Sequence, residues 1–398
     1  MPFAGHVAGT RPYKGMLLAL FASGIATFAQ LYSVQGLLPV MARSFDVSSS
    51  QAALTVSAAT LGLALAVTPW AIVSDRIGRR KVIALALVVS VLLGLASSVA
   101  PSLEAMIVLR FIEGVVLAGV PGSALAFLAD EISAKSVATA SGTYISGTTL
   151  GGLSGRLVAS FVGEPLGWRA GVAAVSIMAA IATVFFLLKA PVPQGFTPAG
   201  KQSLGQIFAK FARALRGRTV LVYAQGFLLM GGFVAVYNYL AFRLEAPPYL
   251  IPASWAALVF LAYLSGTWSS VASGKVVARF GRRATLISSV LVSLAGLLAT
   301  LAGSLVVIIL GLVVFTAGFF AAHAVASGWV PALAPEARAQ ASSLYNLFYY
   351  VGSSLLGWLI GLPFIAYGWP ALVLFVVGLQ VIAMLAASFL SPAGTKAA

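Results

Sequence analysis

A chain of 398 residues that is 60% hydrophobic and only 8% charged, with a mean hydropathy of +1.02, lies outside the water-soluble globules, which carry about 45–50% apolar and about 25% charged residues. The formal net charge of +15 would suggest a nucleic-acid partner in a soluble protein; here Lys and Arg fall in short runs between apolar segments and read as topology signals, so no nucleic acid is expected. With no cysteine, two His and nine carboxylates, the chain has no thiol chemistry and little material for a metal cluster, and neither metal nor cofactor is expected.

In chain order, twelve apolar runs recur near 15–41, 50–73, 81–100, 104–128, 136–162, 169–190, 219–244, 253–274, 283–302, 304–330, 338–366 and 369–390. Each is long enough to cross a hydrocarbon core of about 30 Å as a helix, which predicts an all-α, multi-pass protein of the inner (plasma) membrane. The first run is too long and too evenly apolar for a signal-peptide core and is kept as a span. Span 1 carries Gln30, Tyr32 and Gln35, and span 2 ends on a basic loop with Arg76, Arg79, Arg80 and Lys81. Span 4 holds Arg110 and Glu113 and ends near Asp130 and Glu131, while span 5 sets a glycine ladder, Gly142, Gly147, Gly151 and Gly155, ahead of Arg156.

After span 6 the stretch 191–218 contains no carboxylate; it opens with Pro and Gly, then sets Leu204, Ile207, Phe208 and Phe211 against Lys201, Lys210 and Arg213. It reads either as a linker with a short interfacial helix on an anionic leaflet or as a solvated tether. Span 7 carries Tyr237 and Asn238, span 10 His323, and span 11 Tyr345, Asn346 and Tyr349. Positive loops stay cytoplasmic. One set of segments holds Arg11 and Lys14, the cations after span 2, the stretch from Lys189 to Arg218, and Lys275, Arg279, Arg282 and Arg283; the other has little beyond Arg43 and Arg243. Both termini are therefore expected in the cytoplasm.

The chain also repeats itself. Asp75-Arg-Ile-Gly-Arg-Arg80 after span 2 recurs as Ala278-Arg-Phe-Gly-Arg-Arg283 after span 8, Gly167-Trp168 recurs as Gly368-Trp369, Tyr144 has a counterpart in Tyr345, and Tyr32 in Tyr237. This predicts two pseudo-symmetric six-helix bundles, 1–190 and 219–398, joined by a basic linker over 191–218. Such pairs place a substrate site at the midplane between repeats that rock about it.

The loop Ala71-x-x-x-Asp75-Arg76-x-Gly78-Arg79-Arg80 resembles motif A of the major facilitator superfamily, GxxxDRxGRR/K, with Ala71 for the first Gly; in the second half Gly274 keeps that position and Ala278 replaces the acid. Arg110-Phe-Ile-Glu113-Gly114 is similar to motif B (RxxQG), with Glu for Gln. Gly147-x-x-x-Gly151-Gly152-x-x-Gly155-Arg156 is similar to the antiporter motif C, with Gly152 for Pro and Arg156 for the last Gly. The segments 31–39, Ala321-Ala-His323 and Tyr349-Tyr-Val-Gly-Ser-Ser354 look most like the YnfM-type, drug-efflux-like branch. The resemblance implies the superfamily's twelve-helix fold and transport by alternating access. It also implies a gating latch of Asp75, Arg76, Gly78, Arg79, Arg80 and Asp130, in which Asp75 meets the start of span 11 and Arg79 pairs with Asp130. The glycine ladder, in family terms, faces span 8, and the lost Pro weakens the antiporter label. Read without the resemblance, the basic loop serves topology alone, and the ladder is a close-packing stripe.

Charges inside the membrane are costly and mark pathways or counter-ion pairs. Arg110 and Glu113 are three apart on one helical face and can pair. Counted from the loop near Ser133, Arg156 lies about 23 residues along its span, against about 20 for Glu113 and about 23 for Arg110; at a 1.5 Å rise all three share a depth within roughly 5 Å. Burial and the two guanidinium groups act on the proton affinity of Glu113 in opposite senses. The trio reads as a proton switch or as a permanent pair that locks spans 4 and 5. His323 titrates near physiological pH when unperturbed, and is a second proton candidate or a packing residue. Gln30, Tyr32, Gln35, Tyr237, Asn238, Tyr345, Asn346 and Tyr349 suit a cavity that holds moderately apolar molecules, or serve as belt and interhelical glue.

The expected activity is export of small, moderately apolar or amphipathic molecules by a secondary transporter coupled to proton influx. The alternative is a symporter or facilitator for a polar metabolite such as a sugar, organic acid or amino acid. A membrane sensor or channel is disfavoured by the repeat. The sequence has neither a GxxxxGK[ST] loop for ATP nor a Ser/His/Asp constellation for an enzyme, and a monomer is the family default.

Overall fold

In lipid, only a segment that satisfies its own backbone N–H and C=O groups can cross alone, which favours helix. The described residues, 3–198 and 204–390 of the computed structural model, form fifteen α-helices: α1 Arg11–Tyr32, α2 Leu38–Phe45, α3 Ser49–Ile77, α4 Arg79–Ser98, α5 Leu103–Leu117, α6 Pro121–Glu131, α7 Val137–Leu166, α8 Trp168–Lys189, α9 Leu204–Ala214, α10 Thr219–Glu245, α11 Ala253–Ala257, α12 Tyr263–Ala299, α13 Leu305–Leu333, α14 Arg338–Leu359 and α15 Gly361–Ser388. Two compact units emerge, one of Met1–Val47, Leu54–Lys201 and Pro252–Ala257, the other of Ser48–Ala53, Gln202–Ile251 and Leu258–Ala398. Among the described residues, eight helical stretches are long and apolar enough to cross a membrane. Large apolar side chains such as Leu92, Ile181, Leu188, Val271 and Leu374 stand exposed on α4, α8, α12 and α15, as faces turned to lipid do.

In the first unit α1 packs on α7 and α8, and α4 on α5 and α8. The expected continuous span over 15–41 is broken: α1 stops at Tyr32, a tighter turn covers Gln35–Leu37, and α2 restarts at Leu38 with Pro39 in its first turn. Likewise the expected span over 104–128 is two helices, α5 and α6, because Pro121 cannot extend α5 but suits the first position of α6. The glycine ladder, which the resemblance turned toward span 8, packs on α1. A Cβ on Gly147, Gly151 or Gly155 would run into the backbone of Phe21, Ile25 or Ala29, whereas Gly142 has no such neighbour within 4 Å.

In the second unit α10 packs on α13, α14 and α15, and α12 on α13. The predicted spans over 253–274 and 283–302 share α12, which turns at Gly281 (φ 79°, ψ 164°); Gly368 (φ 73°) turns α15 in the same way. Their first-unit counterparts, Gly78 (φ 104°) and Gly167 (φ 86°), also have positive φ. The repeat is thus written in the backbone, at turns only glycine adopts without strain. Trp168 donates its indole N–H to Ser44 Oγ at 3.0 Å, and Trp369 donates to Thr300 Oγ1 at 3.1 Å. Within the linker, α9 takes the helical one of the two readings, and its last carbonyl, on Ala214, accepts from Thr219 Oγ1 and Tyr223 Oη at 2.8 Å each. Lys201 and the side chains of Leu204, Ile207 and Phe208 lie outside the described residues.

Candidate functional site

The last carbonyls of α1 lie at its break, where Ser33 N–H and Oγ reach Gln30 O at 3.2 and 2.9 Å, and a cation is a natural further partner at a helix C-terminus. Arg110, fully buried on α5, supplies it: Nη1 donates to Gln30 O at 3.0 Å and Nη2 to Leu31 O at 2.5 Å, with Nε 3.5 Å from Thr55 O. The same Nη1 donates to Glu113 Oε2 at 2.6 Å, one helical turn on. Glu113 is also fully buried, and its other oxygen, Oε1, has no hydrogen-bond partner among the described residues. Arg156, on α7, occupies the neighbouring part of this layer. Its Nε donates to Gln35 Oε1 at 2.7 Å, its Nη1 to Gly152 O at 2.6 Å, and its guanidinium lies 4.2 Å from the centre of the Tyr32 ring.

Arg110 and Arg156 both reach into the broken segment 30–35, and the Glu113 carboxylate pairs with Arg110. The departure Gly152 has a local role: a Cβ there would stand 3.1 Å from Arg156 Nη1. Gln30 is buried with its Oε1 accepting from Ser176 Oγ at 3.2 Å and its Nε2 unpartnered among the described residues. Gln30 and Gln35 thus belong to a packed polar layer around the charges.

In the second unit His323 Nδ1 lies 2.9 Å from Tyr345 Oη, and the imidazole stands 4.6 Å from the Tyr349 ring and 6.2 Å from Phe319, centre to centre. Tyr237 is buried, its hydroxyl 2.7 Å from Thr316 Oγ1 and its ring against Phe233, Phe260 and Tyr263. Asn238 donates to Gly357 O at 3.0 Å. Asn346 is exposed on α14 and Tyr349 half-buried. The aromatic and imidazole groups are brought together.

At the α3–α4 turn Arg79 bridges three groups. Its Nη1 donates to Ser74 Oγ at 2.8 Å and binds Asp75, and its Nε donates to Asp130 Oδ2 at 3.2 Å. Arg80 reaches Leu187 O at 3.4 Å, and Arg76 is exposed. Sequence reasoning placed Glu131 beside this latch without a role. It is buried, and its carboxylate accepts the backbone N–H groups of Gln194 and Gly195; backbone donors some 60 residues away carry no sequence signal.

Residues 16–269 match the model of the family described as Major Facilitator Superfamily. The chain is 40% identical over 378 residues to the inner membrane transport protein YnfM of Escherichia coli, covering 95% of this chain and 90% of that one. It is 37% identical over 384 residues to the uncharacterized MFS-type transporter YybF of Bacillus subtilis, covering 96% and 94%. Among solved structures it is similar to an inward-facing, unoccupied bacterial homolog of the human lysosomal transporter Spinster (TM-score 0.79, 19% identity, 96% and 97% covered). It is also similar to a mutant of the nucleoside transporter NupG (TM-score 0.79, 17% identity, 94% and 99% covered). At those identities the likeness is one of fold.

Proposed function

The chain belongs to the major facilitator superfamily and is a multi-pass membrane transporter, and from that premise we propose that it exports small, moderately apolar or amphipathic molecules by alternating access coupled to proton influx. In this reading twelve spans form two six-helix halves, 1–190 and 219–398, as a monomer in the inner membrane with both termini cytoplasmic. Glu113 is the proton carrier. The observation that supports it is the buried pair in which Arg110 also holds the carbonyls of Gln30 and Leu31, while Glu113 Oε1 has no hydrogen-bond partner among the described residues. A proton added at Oε1 cancels the carboxylate charge and weakens its bond to Arg110 without unseating the arginine, so the layer gains one positive charge and α5 is held less firmly to its neighbours.

The cluster of His323, Tyr345, Tyr349, Phe319 and Phe320 supports an apolar, ring-bearing cargo. Arg79 with Asp75 and Asp130 is the latch of the cytoplasmic side. The test is substrate-induced proton movement with purified protein in liposomes, using tetraphenylphosphonium, sugars and amino acids as probes, with Glu113→Gln alongside. A probe-dependent proton signal that Glu113→Gln abolishes, with probe binding kept, is the expected result. Transport of a probe with no proton signal overturns the coupling and makes the protein a facilitator.

A further inference from the structure

We propose that Glu131 is a positioning residue that straps the start of the linker, residues 194–196, across the Arg79 latch, so that strap and latch release together. A linker serving only as a tether has its backbone hydrated. This one instead sends two backbone N–H groups to a fully buried carboxylate: Gln194 N lies 2.9 and 3.0 Å from the two oxygens of Glu131, and Gly195 N lies 2.9 Å from Oε1. A buried carboxylate is tolerated only where such donors compensate it.

The next residue closes a circuit. The Phe196 ring centre stands 5.9 Å from the Arg79 guanidinium, and its edge would be 3.7 Å from a Cβ on Gly78. Gly195 passes so close to the Asp130 carbonyl that a Cβ there would collide with it. Consecutive residues of α6 therefore face two ways, Asp130 to Arg79 and Glu131 to the strap, and the strap returns to Arg79. The amino-terminal arm is held at the same point. His6 N–H donates to the Glu131 carbonyl at 2.7 Å, and the His6 carbonyl accepts from Ser133 N–H at 3.2 Å.

That this latch gates transport rests on the function proposed above; the coupling of strap to latch does not, and is tested without substrate or gradient. The chain has no cysteine, so single thiols report cleanly. Phe196→Cys reports on the strap. Ser74→Cys, at a buried position whose hydroxyl accepts from Arg79, reports on the latch and leaves Phe196 in place. Maleimide labelling rates are measured on full-length protein in liposomes. Coupling is reciprocal by linkage, so Glu131→Gln is expected to raise labelling at both positions about tenfold, or about 1.4 kcal/mol. Asp130→Asn does the same from the latch side. Gly195→Ala, which displaces the strap without touching any charge, reproduces the effect where Glu131→Gln fails to fold.

Labelling that rises at the Phe196→Cys position while the Ser74→Cys thiol stays protected overturns the coupling and makes the docked linker passive. Unchanged labelling at the Phe196→Cys position overturns the strap itself. Neither result bears on whether protons are coupled to a cargo, and failure of the liposome transport assay leaves both labelling results standing.

Discussion

Arg110→Met tests whether this arginine is a structural pin or only a counter-ion. Methionine fills much of the volume, but it withdraws the donors to Gln30 O, Leu31 O and Glu113 Oε2. Breaking a buried pair by removing one partner costs about 3–5 kcal/mol, and losing the donor to Leu31 O adds roughly 1 kcal/mol, while Gln30 O keeps Ser33 N–H and Oγ. Glu113→Gln is gentler. It keeps an amide oxygen for Arg110, leaves the cation its two carbonyls, and loses the charge assistance of one hydrogen bond, roughly 1–2 kcal/mol. Unfolding of the purified proteins, followed by tryptophan fluorescence, is expected to separate the two single variants by about 3 kcal/mol. Arg110→Met combined with Glu113→Leu is expected to recover more than half of the loss, because no uncompensated charge is then left in the interior. A double variant no more stable than Arg110→Met alone, or a Glu113→Gln protein as damaged as Arg110→Met, would refute the reasoning.

Glycine positions give a paired prediction. Gly155→Ala drives a methyl into the backbone of Ala29 and parts α1 from α7, so folded yield should fall and stability drop by about 1–3 kcal/mol; Gly142→Ala, with nothing within 4 Å, should be neutral or stabilise by about 0.4–1 kcal/mol. Gly78→Ala and Gly281→Ala should each cost about 1–3 kcal/mol, since both positions have positive φ, and equal losses in thermal unfolding check that the two turns are equivalent. At the latch, Arg79 and Asp130 are partly exposed, with 14% and 28% of their side chains accessible, so Asp130→Asn should change global stability by less than about 1 kcal/mol. Its effect should instead be on transport turnover in liposomes, with probe binding little altered. Tyr345→Phe removes the hydroxyl beside His323 Nδ1 and should cost about 1 kcal/mol in unfolding, with apolar packing preserved.

The features legible in the sequence were those stored in side-chain identity. The Gly-Arg-Arg turns at Gly78 and Gly281 and the Gly-Trp pairs at 167–168 and 368–369 were found from letters alone, and the structure places positive φ at all four glycines. The pairing of Arg110 with Glu113, three apart on one helical face, was also legible. The rest lies in the backbone. Nothing in the spelling of span 1 says that the carbonyls of Gln30 and Leu31 become acceptors for Arg110, because a carbonyl at a helix break has no residue type. The partners of Glu131 are amide N–H groups, equally anonymous. Small residues spaced along α7 announced a close contact without saying that α1 would fill it. Pro121 is a stop that the hydropathy reading passed over when it joined 104–128 into one span.

The seating of Arg110 on the carbonyl ends of α1 has an electrical consequence. A guanidinium that completes a broken helix travels only with the unit that carries it, and its charge is a fixed part of that unit's interior. A field across the membrane does about 2.3 kcal/mol of work per elementary charge per 100 mV. With the arginine immobile, the voltage acts on this layer through whatever charge enters and leaves it. Under the coupling proposed above, the steepness of transport against membrane potential, measured on one cargo at clamped voltage and corrected for the charge of that cargo, would count the protons that visit Glu113 in each cycle.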